Sequence, residues 1–421
     1  MASVVRCLGL APSEYYNLLH FFHSTAFTAE ALCRRWVEAL GRRAPLLTLE
    51  KKPVYVVDAV VAPKAGKRMP GVKSLHQASE DNNKPEFVMG HFWGALTMLA
   101  QVGRQIRALP VRFALQDGLK RSPSDSQTTI TRMHGLVTQT AQDTGTVIAD
   151  CYYTCRAILQ ALLAAGFHYI GRVRNNVVAY MIALQPEKRR RGRPRKYGEK
   201  IILRRLFKSH KALFSREQVD VYGELQEVLL HEMELYWQGI LVKFVLVVDA
   251  KGKKAIFLST NRALEAKTIV TAYGWRFKIE ADFKAFIEVL FGFCYRFWMK
   301  AMPKRKRGEG NQYTHRAQPA YRAQVSRKVE AFERFVNIAA VTLGILQLLS
   351  LACAERIWTS LPVWFRTLRK EAGPSENVVR ATLQAEIARI FRDSAPATLL
   401  AKILATRKRA NLPSHPFRLT G

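Results

Sequence analysis

The sequence predicts a mixed α/β fold, a sheet flanked by helices, on three observations. Short β-favouring apolar runs recur at Val54–Val57 (VYVV), Thr146–Ala149 (TVIA) and His168–Val173 (HYIGRV), and runs of that length bounded by polar or turn residues suit strands covered on both faces. Helical windows alternate with them, at Thr128–Ala141 and at Arg156–Ala165, the latter closed by Gly166 as a C-cap. The chain, 421 residues with 48% hydrophobic side chains, is long enough to bury the substantial core that such a layered sheet needs.

In order, residues 1–50 read as a helical region. Ser13–Phe21 and Ala29–Leu40 carry apolar residues at helical spacing, with Arg34, Arg35, Arg42 and Arg43 on or near the second. Either a DNA-end reader or a helical cap on the main domain fits that pattern. Residues 51–175 form the first part of the core. Val54–Val61 is a strand, Lys64–Gly71 a basic turn region, and Glu86–Met89, the stretch around His91–Trp93 and Pro110–Leu115 are further strands. His91 either touches substrate or is satisfied within the sheet.

Residues 176–262 read as a basic, mainly β insertion. Gln185–Lys211 holds twelve Lys and Arg against two Glu, with RRRGRPRKYG at Arg189–Gly198. Pro194 fixes φ and Gly192 admits close approach, so Arg189, Arg190, Arg191, Arg193, Arg195 and Lys196 suit either a narrow minor groove or sequence-blind phosphate contact. Leu241–Val248 and Ala255–Ser259 bracket Asp249-Ala-Lys-Gly252 as a hairpin. Asp249 is a turn aspartate on that reading, and also the main rival to Asp150 for a metal role. Residues 263–355 are the second part of the core. They end in Phe335–Ala354, which approaches membrane-spanning length but is interrupted by Asn337, Thr342, Gln347 and Ser350 and reads as a buried helix. Residues 356–421 form a helical, basic tail with one amphipathic helix, Glu376–Arg392; it either pairs subunits or grips DNA.

Charge points to the partner. Lys and Arg number 66 against 33 Asp and Glu, a net charge of +33 with a pI near 10.3. An excess of that size implies a polyanion, DNA or RNA before a membrane, and no small-molecule substrate requires it. The six cysteines are scattered and read as reduced thiols of a cytoplasmic protein. Met1–Leu10 has no basic segment followed by an apolar core, so no secretory leader is expected.

The candidate chemistry rests on three acids. Asp58 and Asp150 each end an apolar strand run, which holds a carboxylate rigidly at a sheet edge. In YGWRFKIEADFK, the residues Tyr273, Arg276, Glu280 and Lys284 fall three or four apart and share one helix stripe. Two strand-end aspartates and a helix glutamate make a hard oxygen donor set suited to Mg²⁺ or Mn²⁺, the kind of site that cleaves phosphodiesters.

These residues resemble a bacterial insertion-sequence transposase of the DDE class, in the branch marked by a tyrosine–arginine–glutamate helix. The resemblance spans roughly residues 50–350. Asp58 in VYVVDAVVAPKAGKRMPGV matches the first aspartate, Asp150 in VIADCYY the second, and Tyr273, Arg276 and Glu280 the Tyr-x2-Arg-x3-Glu element. The family's closing lysine falls at Ile287 here; Lys284, one turn after Glu280, is the available substitute. The resemblance implies a ribonuclease H-like fold, with the β insertion between the second aspartate's strands and the glutamate helix. It implies metal-dependent cutting at element ends, transfer of the freed 3′-hydroxyl to target DNA, and a homodimer on DNA, nucleoid-associated when bound. A non-catalytic DNA-binding derivative and another metal-dependent nuclease of the same fold are the alternatives.

Overall fold

The computed structural model describes residues 2–7, 11–77, 85–124, 126–183, 195–221, 223–361, 363–368 and 370–393. The segment from Arg189 to Arg193 and the basic Arg407–Arg409 cluster lie outside the described residues. One sheet dominates. Its first strands are β1 (Lys52–Pro63), β2 (Lys73–His76), β3 (Phe87–Val102) and β4 (Gln105–Leu115). Next come β5 (Thr146–Ala149) and β6 (His168–Arg172). The segment expected as a β insertion adds β7 (Val178–Ile182), β8 (Tyr197–Ile202), β9 (Ser215–Val221), β10 (Glu224–Trp237), β11 (Ile240–Val248) and β12 (Lys254–Ser259) to the same sheet. The order is β8-β7-β10-β11-β12-β6-β5-β1-β3-β2, with β4 paired to β3 and β9 to β10. The β1–β5 and β5–β6 pairs are parallel, and β6–β12 is antiparallel.

The helices labelled here are α1 (Glu14–His23), α2 (Ala29–Arg43), α3 (Thr129–Thr140), α4 (Arg156–Ala164), α5 (Ala266–Trp275), α6 (Phe277–Glu288), α7 (Pro319–Ala352) and α8 (Glu376–Asp393). They cover both sheet faces, which is why the central strands read as unbroken apolar runs. Val54, Val56, Ile148 and Ile170 face one core, with Ile279, Phe283 and Phe332 from α6 and α7. Tyr55, Val57, Val147 and Tyr169 face the other, with Val37, Met133 and Leu159 from α2, α3 and α4.

The long apolar helix α7 is long and apolar enough to cross a membrane by composition, and half of that window is buried within the structure. Its polar interruptions explain its place. Asn337 is fully buried, accepts the Phe113 N–H at 2.8 Å and donates to the Phe113 carbonyl at 2.9 Å. It thereby completes the backbone bonding of β4, the strand that otherwise ends the sheet there. Gly344 lets α2 close in, since a Cβ at that position would meet Trp36 Cζ2 at 2.6 Å. The apolar side of α2 is thus a cap on the core, while Arg34, Arg35, Arg42 and Arg43 stay exposed. Two strands expected as separate pieces are one: Glu86–Met89 and the region of His91–Trp93 both lie in β3.

Candidate active site

Strand register brings the two aspartates together. Val56 pairs with Ile148 and Ile148 with Ile170 across three parallel strands. Two residues further along each strand stand Asp58, Asp150 and Arg172. Alternation turns all three to the face of Val56, Ile148 and Ile170, and neighbouring strands lie about 4.8 Å apart. The row therefore reads acid, acid, cation across adjacent strands, under α5 and α6.

Glu280 arrives from above. The helix expected over Tyr273–Lys284 is two helices meeting at Arg276, where the Arg276 N–H bonds the Tyr273 carbonyl and the Ile279 N–H bonds the Arg276 carbonyl, both at 3.1 Å. These three-residue bonds tighten the chain and keep Tyr273, Arg276 and Glu280 on one side. Arg276 Nη1 donates to Asp58 Oδ2 at 3.1 Å, and Nη2 donates to Glu280 Oε1 at 2.5 Å. One guanidinium thus bridges two acids that are 222 positions apart in the chain.

Asp58 is the most perturbed member. Burial pushes its carboxyl up to about 6; the Ala59 N–H opposes, Asp150 pushes the same way, Arg276 opposes and Glu280 adds to the rise. An ion pair alone would lower it, so burial and the two neighbouring carboxylates outweigh the arginine. Asp150 Oδ1 accepts the Tyr152 N–H at 2.8 Å, which fixes its rotamer at the strand end. The Tyr273 hydroxyl is pushed up by burial and lies within the fields of Arg276, Arg172 and Asp150. Its ring packs against Phe257 at 4.7 Å.

Other candidates take different places. Lys284 is exposed one turn past Glu280. Lys196 donates to the Gly239 carbonyl at 3.0 Å and sits 4.9 Å over the Tyr236 ring. The same turn offers Gln238 Oε1 to the Arg156 N–H at 2.9 Å, so Lys196 is anchored near the start of α4. Arg195 is exposed beside it. Asp249 accepts the N–H groups of Lys251 and Lys253 in the β11–β12 turn. His91 is buried between Tyr295 Oη and the Pro70 carbonyl, and burial lowers its pKa to about 3. Asp282, in the middle of the signature helix, faces away from the acids and accepts from Gln347 Nε2 at 2.6 Å.

Among the described residues, no three His, Cys, Asp or Glu side chains stand as a ready metal cage. The cation that stands among the acids is the Arg276 guanidinium. The donor set itself, carboxylate oxygens only, fits a hard divalent ion. Arg172 is the residue that sequence reading missed. Its signal was positional, a polar residue following an apolar strand run at the same level as both aspartates.

Carboxylates and cations gathered at the end of parallel strands, under a helix bearing Glu280, can bind a phosphate ester beside a divalent cation. The family agrees with that class. The model described as DDE superfamily endonuclease matches residues 2–232, more than half of the chain, and the chain belongs to that family. The match contains Asp58 and Asp150 and ends before Glu280. No curated protein matches the chain. One similar solved structure, titled as a cryo-EM structure of piggyBac transposase synaptic complex with hairpin DNA, aligns at a TM-score of 0.30 and 12% identity. That alignment covers 86% of this chain and 59% of the other, so this chain spans about three fifths of its length.

Proposed function

We propose that this endonuclease-family protein is a DNA transposase, which cuts phosphodiester bonds at the ends of an insertion element and joins the 3′-hydroxyl ends to target DNA. What supports the reading is that one guanidinium, Arg276, holds both Asp58 and Glu280, while Asp150 follows the adjacent strand two residues past Ile148, the partner of Val56. A ribonuclease H-like core is supported by the strand order β4-β3-β1-β5-β6, three antiparallel strands followed by two parallel ones with α3 and α4 as the intervening helices. The tyrosine–arginine–glutamate branch is supported by the shared side of Tyr273, Arg276 and Glu280.

In this reading Asp58, Asp150 and Glu280 hold Mg²⁺ or Mn²⁺, which when bound activates a water or 3′-hydroxyl and stabilises the leaving oxygen. Asp58 must be ionised to serve, and burial, which pushes its carboxyl up to about 6 in the metal-free protein, makes protons compete with the ion for it. Arg276 has two positions to choose between: the ion pairs with Asp58 and Glu280, or the phosphate flanking the cut. Tyr273 and Lys284 orient the same phosphate, keeping the scissile bond in line for attack. Lys196, Arg195 and the arginines from Arg189 to Arg193 hold DNA further out, and two copies bridge the two ends. The protein works in the cytoplasm on chromosomal DNA.

The hold of Arg276 on both acids favours one second reading, a DNA-binding derivative whose site stays shut. The test is Mg²⁺-dependent cutting and strand joining on DNA carrying the sequences that flank its gene, with wild type and Asp58→Asn. Cut and joined products from wild type alone support the transposase. Cutting without joining indicates another nuclease, and equal binding with no cutting by either protein indicates the derivative.

A further inference from the structure

We propose that the hollow between the 64–71 loop and the 300–307 segment binds an unpaired stretch of DNA, away from the three acids. The proposal takes the identity of the polyanion from the transposase reading and adds to it a second, single-strand site. Two basic segments more than 220 residues apart are stitched together here. The Met299 N–H donates to the Arg68 carbonyl at 3.0 Å, the Arg305 N–H to the Lys67 carbonyl at 2.7 Å, and Arg68 Nη1 to the Lys300 carbonyl at 2.8 Å.

The hollow is about 550 Å³, with Pro63, Val72, Val88 and Met89 in its floor and Phe87 in its wall. Phe87 is 53% exposed. It borders a second hollow of about 570 Å³, which also shares Met89 and Arg307. Trp298, 65% exposed, stands near Gly66 at the turn of the loop. On the rim, Lys67, Lys306 and Arg307 are exposed, with no side-chain partner among the described residues. Arg305 is used as a brace, paired with Glu309 at 3.3 Å, and Glu86 faces His76. The Lys64 amine turns inward, 3.6 Å from the Tyr295 ring centroid.

The combination selects the occupant. Three exposed cations call for phosphates, but duplex DNA keeps its bases stacked and would leave the apolar floor and Phe87 uncovered. Unpaired bases present flat faces that stack on aromatic side chains while their phosphates meet the cations. An apolar peptide would bury the floor and leave the cations without partners. Lys64 lies six residues beyond Asp58, about 20 Å at roughly 3.3 Å per residue, so a strand released at the acids reaches the hollow within a few nucleotides.

The experiment is fluorescence anisotropy of the full chain in metal-free buffer, with oligothymidylate of about 15 nucleotides and a duplex of the same length. Phe87→Ala should weaken single-strand binding at least about fivefold. Lys306→Gln with Arg307→Gln should lower the salt slope on the single strand by about 1.4. Duplex affinity should stay within about twofold for Phe87→Ala, since stacking on a side chain needs an unstacked base. Equal losses on single strand and duplex, or no loss in either variant, would overturn the proposal. Binding is read without metal, so a protein that cuts end DNA but shows no single-strand loss refutes this site alone. One that shows the loss but never cuts refutes the nuclease reading alone.

Discussion

Replacing Asp58 with Asn should make the protein more stable while abolishing cutting. The carboxyl titrates at about 6 in the fold against an ordinary 3.8, so keeping it ionised inside costs about 3 kcal/mol at neutral pH. The amide, shaped like the protonated acid, avoids that cost, and the pull of Arg276 is already contained in the shifted pKa, so the gain is about 3 kcal/mol. For a chain of this length melting as one unit, that is about 3 °C in Tm. The pH dependence is the sharper part. The folded pKa lies above the unfolded one, so the penalty is full above about 6, shrinks between 6 and 3.8, and is absent below, where both states are protonated. Paired melts of wild type and Asp58→Asn from pH 8 to pH 4, without divalent ions, should therefore converge as pH falls. Added Mg²⁺ should raise the wild-type Tm and leave the variant unmoved. A variant less stable than wild type at pH 8, or a gap that does not close with acid, would refute the reasoning.

Arg172→Gln should leave melting unchanged, since the side chain is exposed, and lower the cutting rate on the order of 100-fold, the cost of one lost charge-stabilising donor; an unchanged rate would remove it from the site. Asn337→Ala strips both Phe113 backbone groups of their partner and should destabilise by about 3 kcal/mol, read as a lower urea midpoint at constant m. The His91 ring, buried and pushed to about 3, should show no titration between pH 5 and pH 8 by NMR, roughly the span in which an ordinary histidine changes charge.

Much of the core was legible because burial on both faces writes itself as an uninterrupted apolar run. VYVV and TVIA gave the strands bearing Asp58 and Asp150, and the hairpin at Asp249 followed from turn chemistry. The two runs expected as separate strands, on either side of Gly90, are one in β3. In the fold Gly90 and Gly94 sit within the strand, where a Cβ would meet the Ala62 carbonyl oxygen or the Gln116 side chain at 2.6 Å. Close approach, not a turn, demands glycine there. The stripe of Tyr273, Arg276 and Glu280 was readable from spacing, but the choice of Asp58 as the second partner of Arg276 was not. That contact joins residues 218 apart, and local periodicity carries no information at that range. The same limit hid the pairing of His91 with Tyr295, 204 residues away.

The most direct test is to load the protein with Fe²⁺ and trigger hydroxyl-radical scission with ascorbate and peroxide. If one ion site is shared by all three acids, the backbone should be cut near Asp58, near Asp150 and near Glu280 in the same sample, with Mg²⁺ protecting all three together. Scission near one or two of these positions with the third untouched would contradict a common site.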